Sequence, residues 1–579
     1  MIKVENLSYS FPQKDLYNKI SFTLEAGQHC AFIGTSGSGK STLVDIIMNP
    51  EEYLFDGTLQ IDPLCRIGYV SQFPELDTTK EATVFEFIGE EFIKLQHEIA
   101  ALCTEMETAS ELDALLEKYQ QALDAFDAIG GNDFESNIDK KLYLADLTKQ
   151  KNLRVTDLSG GEFKLVQVIK EMLKNPDLII MDEPDVFLDF ENLNSLKNLM
   201  NSHKGTLLVI THNRYLLNHC FNKIIHLENT ELQEFDGRYI DYNLNLLQGK
   251  IETQELAIAD TEEIERNERL IKQLRFIATN NADAARGKTL KARVRAQARL
   301  EARRIKLPFV EIKEPNIQFL MDHEIEETTA LKVMDYSVAF EDILLENVNF
   351  EIKSTDKVAL IGPNGTGKTT LLREIFKNNH PSIEVNQDID MAYLSQIQGE
   401  VFDETRTILE EFYDLDFKTS QEIKAYVSNY GFGEEVINHK IGALSGGEKN
   451  LLQLAKVAAG KANMLLLDEP TSHLDTYSQI ALEKAISNYK GAVLMVSHDF
   501  YFIVNCMDYI LITEDKTIRK MSMRKFRKMI YAKHFDKDYL EIEQKKKLLE
   551  TQIELALQDT DFERAKVLSE KLEELVKLL

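Results

Sequence analysis

Gly34-Thr35-Ser36-Gly37-Ser38-Gly39-Lys40-Ser41 and Gly362-Pro363-Asn364-Gly365-Thr366-Gly367-Lys368-Thr369 are two copies of one string, GxxxxGK[ST], in a chain of 579 residues. Each copy follows an apolar run, Ala31-Phe32-Ile33 or Val358-Ala359-Leu360-Ile361, and leads through Thr42 or Thr370 into a helix-like stretch. Strand, loop and helix in that order are the context a phosphate-binding loop requires. Its glycines let backbone N–H groups curl around phosphate oxygens at a helix N-terminus, the lysine reaches the outer phosphates, and the hydroxyl binds Mg²⁺.

The repeat extends downstream with its spacing preserved, which two chance matches would not do. Leu158-Ser159-Gly160-Gly161-Glu162 and Leu444-Ser445-Gly446-Gly447-Glu448 each stand 24 residues ahead of an acid pair, Asp182-Glu183 or Asp468-Glu469. A histidine, His212 or His498, follows each pair at an interval of 30. The acid pairs end apolar runs, Leu178–Met181 and Met464–Leu467, which read as buried parallel strands with carboxylates at their C-terminal ends. Ligands of open α/β sheets bind at that end. The fold expected is α/β, with two tandem P-loop domains.

The signature LSGGE between a P-loop and an acid pair resembles the ATP-binding-cassette superfamily, and here it occurs twice. The resemblance implies two Mg²⁺–ATP sites, each P-loop being completed by the signature of the opposite cassette. It places Ser41, Thr369, Asp182 and Asp468 on the metal, with Gln72 and Gln396 of Val70-Ser71-Gln72 and Leu394-Ser395-Gln396 touching metal and water. Glu183 and Glu469 would polarise the attacking water, a task suited to a carboxylate that can accept its proton. His212 and His498 would contact the γ-phosphate, and Ser159, Gly160, Gly161 and Ser445, Gly446, Gly447 would close on the nucleotide across the interface. Phe11 and Phe340 are candidates for stacking on adenine, or else ordinary core phenylalanines.

One departure separates the copies. The second reads Asp468-Glu469-Pro470-Thr471-Ser472-His473-Leu474-Asp475, whereas the first reads Asp182-Glu183-Pro184-Asp185-Val186-Phe187-Leu188-Asp189. Either packing has drifted, or the two ATP sites turn over at different rates.

The halves also carry unshared segments, giving expected domains of 1–241 (first cassette), 242–325 (linker), 326–535 (second cassette) and 536–579 (C-terminal extension). An insertion at about 86–133 has helical period through Phe92, Leu95, Ile99, Leu115, Tyr119, Leu123 and Phe126, and reads as a projecting helical arm. In the linker, Ala257, Ile264, Ile271 and Ala278 recur every seven residues among charges, predicting a long exposed helix. From Asn245 to Ile277 it would reach about 50 Å. A break at 280–287 and a returning helix complete a hairpin whose stretch 286–306 holds nine Lys and Arg and one acid. Residues 516–535 hold eight and none. The tail places Leu548 and Leu555, then Leu568, Leu572, Leu575 and Leu579, on the apolar faces of a second short hairpin.

Composition bounds the setting. The chain carries 67 Lys and Arg against 96 Asp and Glu, a net charge of −29. An acidic average repels nucleic acid, but the two basic stretches confine any phosphate contact to a few elements. Five cysteines without metal-ligand spacing fit a reducing compartment, and no stretch has the length of a membrane span or a signal peptide. Two cassettes, an arm, a charged hairpin linker and no membrane domain resemble the F subfamily of the superfamily. That resemblance implies a cytoplasmic, monomeric ATPase that binds the ribosome at the tRNA exit site when ATP closes the cassettes. Its linker would reach towards the peptidyl-transferase centre, linker and arm would meet large-subunit rRNA and tRNA, and hydrolysis would release it. Ribosome protection conferring antibiotic resistance is the favoured role; a translation factor relieving stalled ribosomes is the alternative. A transporter's ATPase subunit and a DNA-repair ATPase are rivals from other classes. If the Asp185-Val186-Phe187 departure affects chemistry, Glu183→Gln and Glu469→Gln will leave unequal residual ATP turnover in a steady-state phosphate-release assay; equal residual rates would mean drift.

Overall fold

The computed structural model describes residues 1–11, 14–72, 82–108, 113–186, 188–280, 293–295, 297, 315–321, 327–340, 342–395, 401–534 and 539–577. They form two compact units, Met1–Asp236 with Lys313–Ile530, and Gly237–Ile312 with Tyr531–Leu579.

The first unit contains both cassettes. The strands of the first are β1 (Ile2–Phe11), β2 (Lys14–Leu24), β3 (His29–Ile33), β4 (Asp56–Ile61), β5 (Ile67–Val70), β6 (Leu178–Asp182), β7 (Thr206–Ile210), β8 (Lys223–Glu228) and β9 (Glu231–Asp236). The second repeats them as β10 (Thr329–Ala339), β11 (Ile343–Lys353), β12 (Lys357–Ile361), β13 (Ile383–Val385), β14 (Met391–Leu394), β15 (Met464–Asp468), β16 (Ala492–Val496), β17 (Tyr509–Glu514) and β18 (Thr517–Ser522). Each builds a six-stranded sheet, β5-β6-β7-β3-β8-β9 or β14-β15-β16-β12-β17-β18, parallel except for its last pair. A smaller antiparallel sheet, β2-β1-β4 or β11-β10-β13, completes each cassette.

Why these residues make buried strands follows from their lack of alternation. All five residues of β6 and of β15 are buried, the signature of a parallel strand covered on both faces. Phe32, Leu43, Ile46, Ile180, Leu208 and Ile225 lie in the core between the first P-loop helix and its sheets. The strand ends therefore deliver the P-loop and the acid pair to one edge of a rigid sheet.

The insertion forms two helices, Glu90–Thr108 and Asp113–Ala128. Phe92 anchors its base, with ring centroids 5.4 Å from Phe126 and 4.6 Å from Phe134. Gly131 is required there, because a Cβ would overlap the Phe126 ring.

In the second unit the linker helix runs from Tyr239 to Asn280, 42 residues. That is about 60 Å at 1.5 Å per residue, longer than expected because the helix begins six residues before Asn245. Ile271 is buried, and the buried Asn267 donates from Nδ2 to Gln297 Oε1 at 2.8 Å and to the Arg293 carbonyl at 3.3 Å. A returning segment thus runs beside the helix, and the buried amide pair is the kind of polar contact that fixes register in a coiled coil. The rest of the basic stretch 286–306 and the tip at 281–286 lie outside the described residues.

The tail forms helices Tyr539–Gln558 and Phe562–Val576, which pack with the base of the linker helix through Ile251, Ile553, Ala556, Ala565, Leu568, Leu572 and Val576. The leucine pattern misplaces the first of these faces. Leu548 and Leu555 are 60% and 53% exposed, and Ile553 and Ala556 are buried instead. The third layer of this cluster, the linker helix, decides the face, and it is remote in sequence. All five cysteines are free, and no described helix is long and apolar enough to cross a membrane. Ile553→Ala should lower the opening free energy of the amides in 539–558 by about 2–5 kcal/mol in native-state hydrogen exchange, leaving β6 and β15 protected.

Candidate functional site

The P-loop lysines are buried where their motif begins. Lys40 Nζ donates to the carbonyls of Gly34 and Thr35 at 3.0 and 2.9 Å, and Lys368 Nζ to those of Gly362 and Pro363 at 2.9 and 2.7 Å. Burial lowers the pKa of both, opposed by nearby carboxylates. Gly362, at φ 154°, admits the close approach of β17, since a Cβ there would lie 2.8 Å from Thr513 Cβ.

Each acid pair sits at the end of its strand with the glutamate in left-handed conformation, φ 44° for Glu183 and 48° for Glu469. Such backbone costs roughly 1–3 kcal/mol and persists where surroundings enforce it. Here the next strand does so, because the N–H of Glu183 is held by the Ile210 carbonyl and that of Glu469 by Val496, both at 2.9 Å.

The signature serines cap their own helices. Ser159 and Ser445 are N-caps of Gly160–Leu173 and Gly446–Ala459, and Glu162 and Glu448 close capping boxes. This explains the serine and glutamate of LSGGE, while Gly447 abuts the P-loop of the opposite cassette. A Cβ on Gly447 would lie 2.6 Å from the His473 carbonyl oxygen and 2.8 Å from Ser36 Cβ. Across the second site, Gly160 and Gly161 line a cavity of about 550 Å³ with Asn364, Gly365, Gly367, Lys368, Thr369 and Thr370. A volume of that order accommodates a nucleotide.

Two aspartates seal the arrangement. Asp189 Oδ1 accepts from Asn192 N at 2.9 Å, and its Oδ2 from Asn364 N, in the other cassette's P-loop, at 3.4 Å. Asp475 repeats this with Ser478 N at 2.8 Å and Ser36 N at 3.3 Å. Each P-loop therefore faces the signature helix of the other half, and the geometry makes two composite sites.

Few protein groups stand where the metal is expected. Thr369 Oγ1 donates to Asp468 Oδ1 at 3.2 Å and Tyr393 OH to Oδ2 at 3.4 Å, while Ser41 hydrogen-bonds Asp182. Among the described residues no group of three His, Cys, Asp or Glu is placed to hold a metal ion. One hydroxyl and one carboxylate per site suit Mg²⁺, which takes its other oxygens from phosphates and water. Bound there, Mg²⁺ would neutralise charge on the phosphates. Burial raises Asp182 to about 6, against the Ser41 bond and Lys40, and raises Asp468 as well.

The two sites are not electrostatic twins. At the first, burial acts to raise Glu183, but the hydrogen bond from His473 and the charges of His212, His473 and Lys40 bring it down to about 2. At the second, burial and Asp468 push Glu469 up to about 8, with Lys368 opposing. His212 is lowered to about 4 by burial and Lys40, and His498 to about 3 by burial and Lys368. His498 Nε2 lies 3.2 Å from Asn364 Oδ1 and 3.5 Å from Glu469 Oε1.

Gln72 lies on Glu183 Oε2; Gln396 and Phe187 are outside the described residues. Phe11 meets Tyr9 edge-on at 5.4 Å and is 47% exposed; Phe340 is 72% exposed at the turn after β10. Neither is a core residue, and Leu344, not Phe340, lines the second cavity. Motif reading missed four contributors that act by tertiary contact. Tyr17 OH donates to the Gly39 carbonyl, and Lys164, two residues after the signature, donates to the carbonyls of Ser71 and Gln72. Arg214 Nη2 crosses the interface to Glu483 and, at 3.2 Å, to Asp499. His473 crosses it to Glu183 at 3.2 Å. The Asp185-Val186-Phe187 departure has a packing side, because the half-buried Asp185 accepts from Thr211 Oγ1 at 2.6 Å.

Two P-loops completed head to tail define a tandem-cassette ATPase that hydrolyses ATP. The profile of the ABC transporter family matches residues 17–186 and 345–472, and the chain belongs to that family, as one of its F-type tandem-cassette members. The chain is 30% identical, over 86% of its length and 96% of the relative's, to the uncharacterized ABC transporter ATP-binding protein YfmM of Bacillus subtilis. It is 28% identical to the energy-dependent translational throttle protein EttA of Escherichia coli K12, covering 87% of this chain and 90% of that one. ABC transporter F family member 5 of Arabidopsis thaliana is also 28% identical, over 89% of this chain and 75% of that protein. Among solved structures, the archaeal ribosome recycling factor aABCE1 in complex with stalk protein aP1 shares the fold at a TM-score of 0.53 and 17% identity, over 91% of this chain and 92% of that one.

Gly447→Ala should abolish ATP-dependent closure of the first site, read as loss of ATP-induced protection of Ser36-region amides. Gly160→Ala, with no protein atom within 4 Å of its Cβ, should leave the melting temperature of the nucleotide-free protein unchanged.

Proposed function

We propose that this chain is a cytoplasmic, monomeric ATPase of translation that binds the ribosome with its cassettes closed on two Mg²⁺–ATP and leaves it after hydrolysis. The observation that carries the reading is a long charged helix, with a returning segment beside it at Arg293 and Gln297, that lies in sequence between two cassettes whose P-loops each face the other's signature helix. Composite sites make nucleotide a determinant of closure, since the γ-phosphate contacts of both halves favour the closed state and are lost on cleavage. One chain supplies both halves of both sites, so no dimer is needed. The similarity to a protein named as a translational throttle supports a ribosomal target.

In this reading the linker enters the tRNA exit site and points towards the peptidyl-transferase centre, and linker and arm meet large-subunit rRNA and tRNA. Glu183 and Glu469 polarise water; Gln72, Gln396, His212 and His498 orient it and the γ-phosphate; Ser41, Thr369, Asp182 and Asp468 hold Mg²⁺. The proposed domains remain 1–241, 242–325, 326–535 and 536–579. Ribosome protection against antibiotics rests on the divergent first-cassette motif; the named relative favours a translation factor. Drug susceptibility of cells with and without the gene separates the two.

The Glu183→Gln/Glu469→Gln double variant with ATP should co-sediment with 50S or 70S particles and be released as salt rises. Replacing Arg293 and Arg295 by Gln should weaken that binding severalfold and flatten its salt dependence. Absence of the trapped variant from ribosomal fractions would leave transport or DNA-associated roles.

A further inference from the structure

Among the side chains to which the motifs assign no role, His473 has the most unusual position. It belongs to the second cassette, five residues after Asp468, yet both its ends engage the first site. Its carbonyl accepts from Ser36 Oγ of the first P-loop at 3.3 Å. Its Nδ1 lies 3.2 Å from Glu183 Oε2 and 3.3 Å from Gln72 Nε2. Its backbone is left-handed, φ 61°, a conformation that a non-glycine residue keeps only where its surroundings enforce it.

The contact has no counterpart by sequence. The residue five positions after Asp182 is Phe187, whose side chain has no hydrogen to donate. Among the described residues, Glu469 takes its polar contacts from His498 of its own cassette. The two sites therefore share a plan but differ in one cross-interface donor.

We propose that His473 is a positioning residue acting in trans on the first ATP site, where its imidazole fixes the orientation of the Glu183 carboxylate only when the cassettes are closed. Gln72 Nε2 and His473 Nδ1 meet the same oxygen, Oε2. Two donors on one oxygen hold the carboxylate's torsion and turn Oε1 towards the reacting water. The first site would then be gated by closure through a side chain as well as through its signature, whereas the second would not. The inference rests on reading Glu183 as the group that polarises water.

The test uses the full chain carrying Glu469→Gln, so that turnover reports the first site, and three variants made in that background. His473→Phe, which installs the first cassette's residue, should lower kcat roughly tenfold towards the Glu183→Gln rate with KM for ATP unchanged. His473→Asn, whose amide nitrogen can take the place of Nδ1, should recover most of that loss. ATP binding in EDTA, measured by fluorescence of a labelled nucleotide, should be equal in both His473 variants and the parent. Equal losses in the Phe and Asn variants, or a loss of nucleotide affinity in EDTA, would overturn the proposal in favour of packing. If Glu183→Gln itself leaves turnover intact, the assignment of Glu183 fails instead.

Discussion

Asp189 and Asp475 each divide one carboxylate between two partners that no single cassette contains. One oxygen caps a helix in its own half, and the other accepts an N–H from the opposite P-loop. A carboxylate satisfied from both sides of an interface costs little to bury and much to separate, because parting leaves an acceptor without its donor. The two bridges fix the register of one cassette on the other. The opposition of signature helix to P-loop, the second cavity and the trans contact of His473 all depend on that register.

Around this symmetric frame the halves have diverged. Arg214 of the first cassette reaches Glu483 and Asp499 of the second, while the matching position there is Phe500, which lies 6.0 Å from Phe190 in ring contact. His473 reaches Glu183, while its match is Phe187. One half thus contributes an arginine and the other a histidine to the shared interface. The asymmetry is built from single side chains on a backbone that keeps its repeat, consistent with two sites of different electrostatics, Glu183 near 2 and Glu469 near 8.

The distribution of charge follows the same economy. Of the 67 Lys and Arg in a chain of net charge −29, 17 are concentrated in two stretches, which are therefore the strongest local attractors for a polyanion. Arg293 and Arg295 of one stretch are exposed beside the buried Asn267–Gln297 pair, so register and charge are set at the same level of the linker hairpin.

The sequence by itself determined the tandem cassettes, because phosphate chemistry tolerates few residues at each P-loop, acid-pair and signature position and the spacing between them is set by strand and helix lengths. It also determined the helical arm and linker, whose periodicity is local. Only the tertiary structure decided which face of 539–558 is buried, since Ile553 and Ala556 meet a helix some 300 residues away in sequence. It also decided the roles of Tyr17, Lys164, Arg214 and His473. Lys164, Arg214 and His473 lie in or beside motifs, but nothing along the chain shows which partner each one meets. Each acts through a contact made across space: Tyr17 and Lys164 find their partners once the first cassette has folded, and Arg214 and His473 only once the two halves meet.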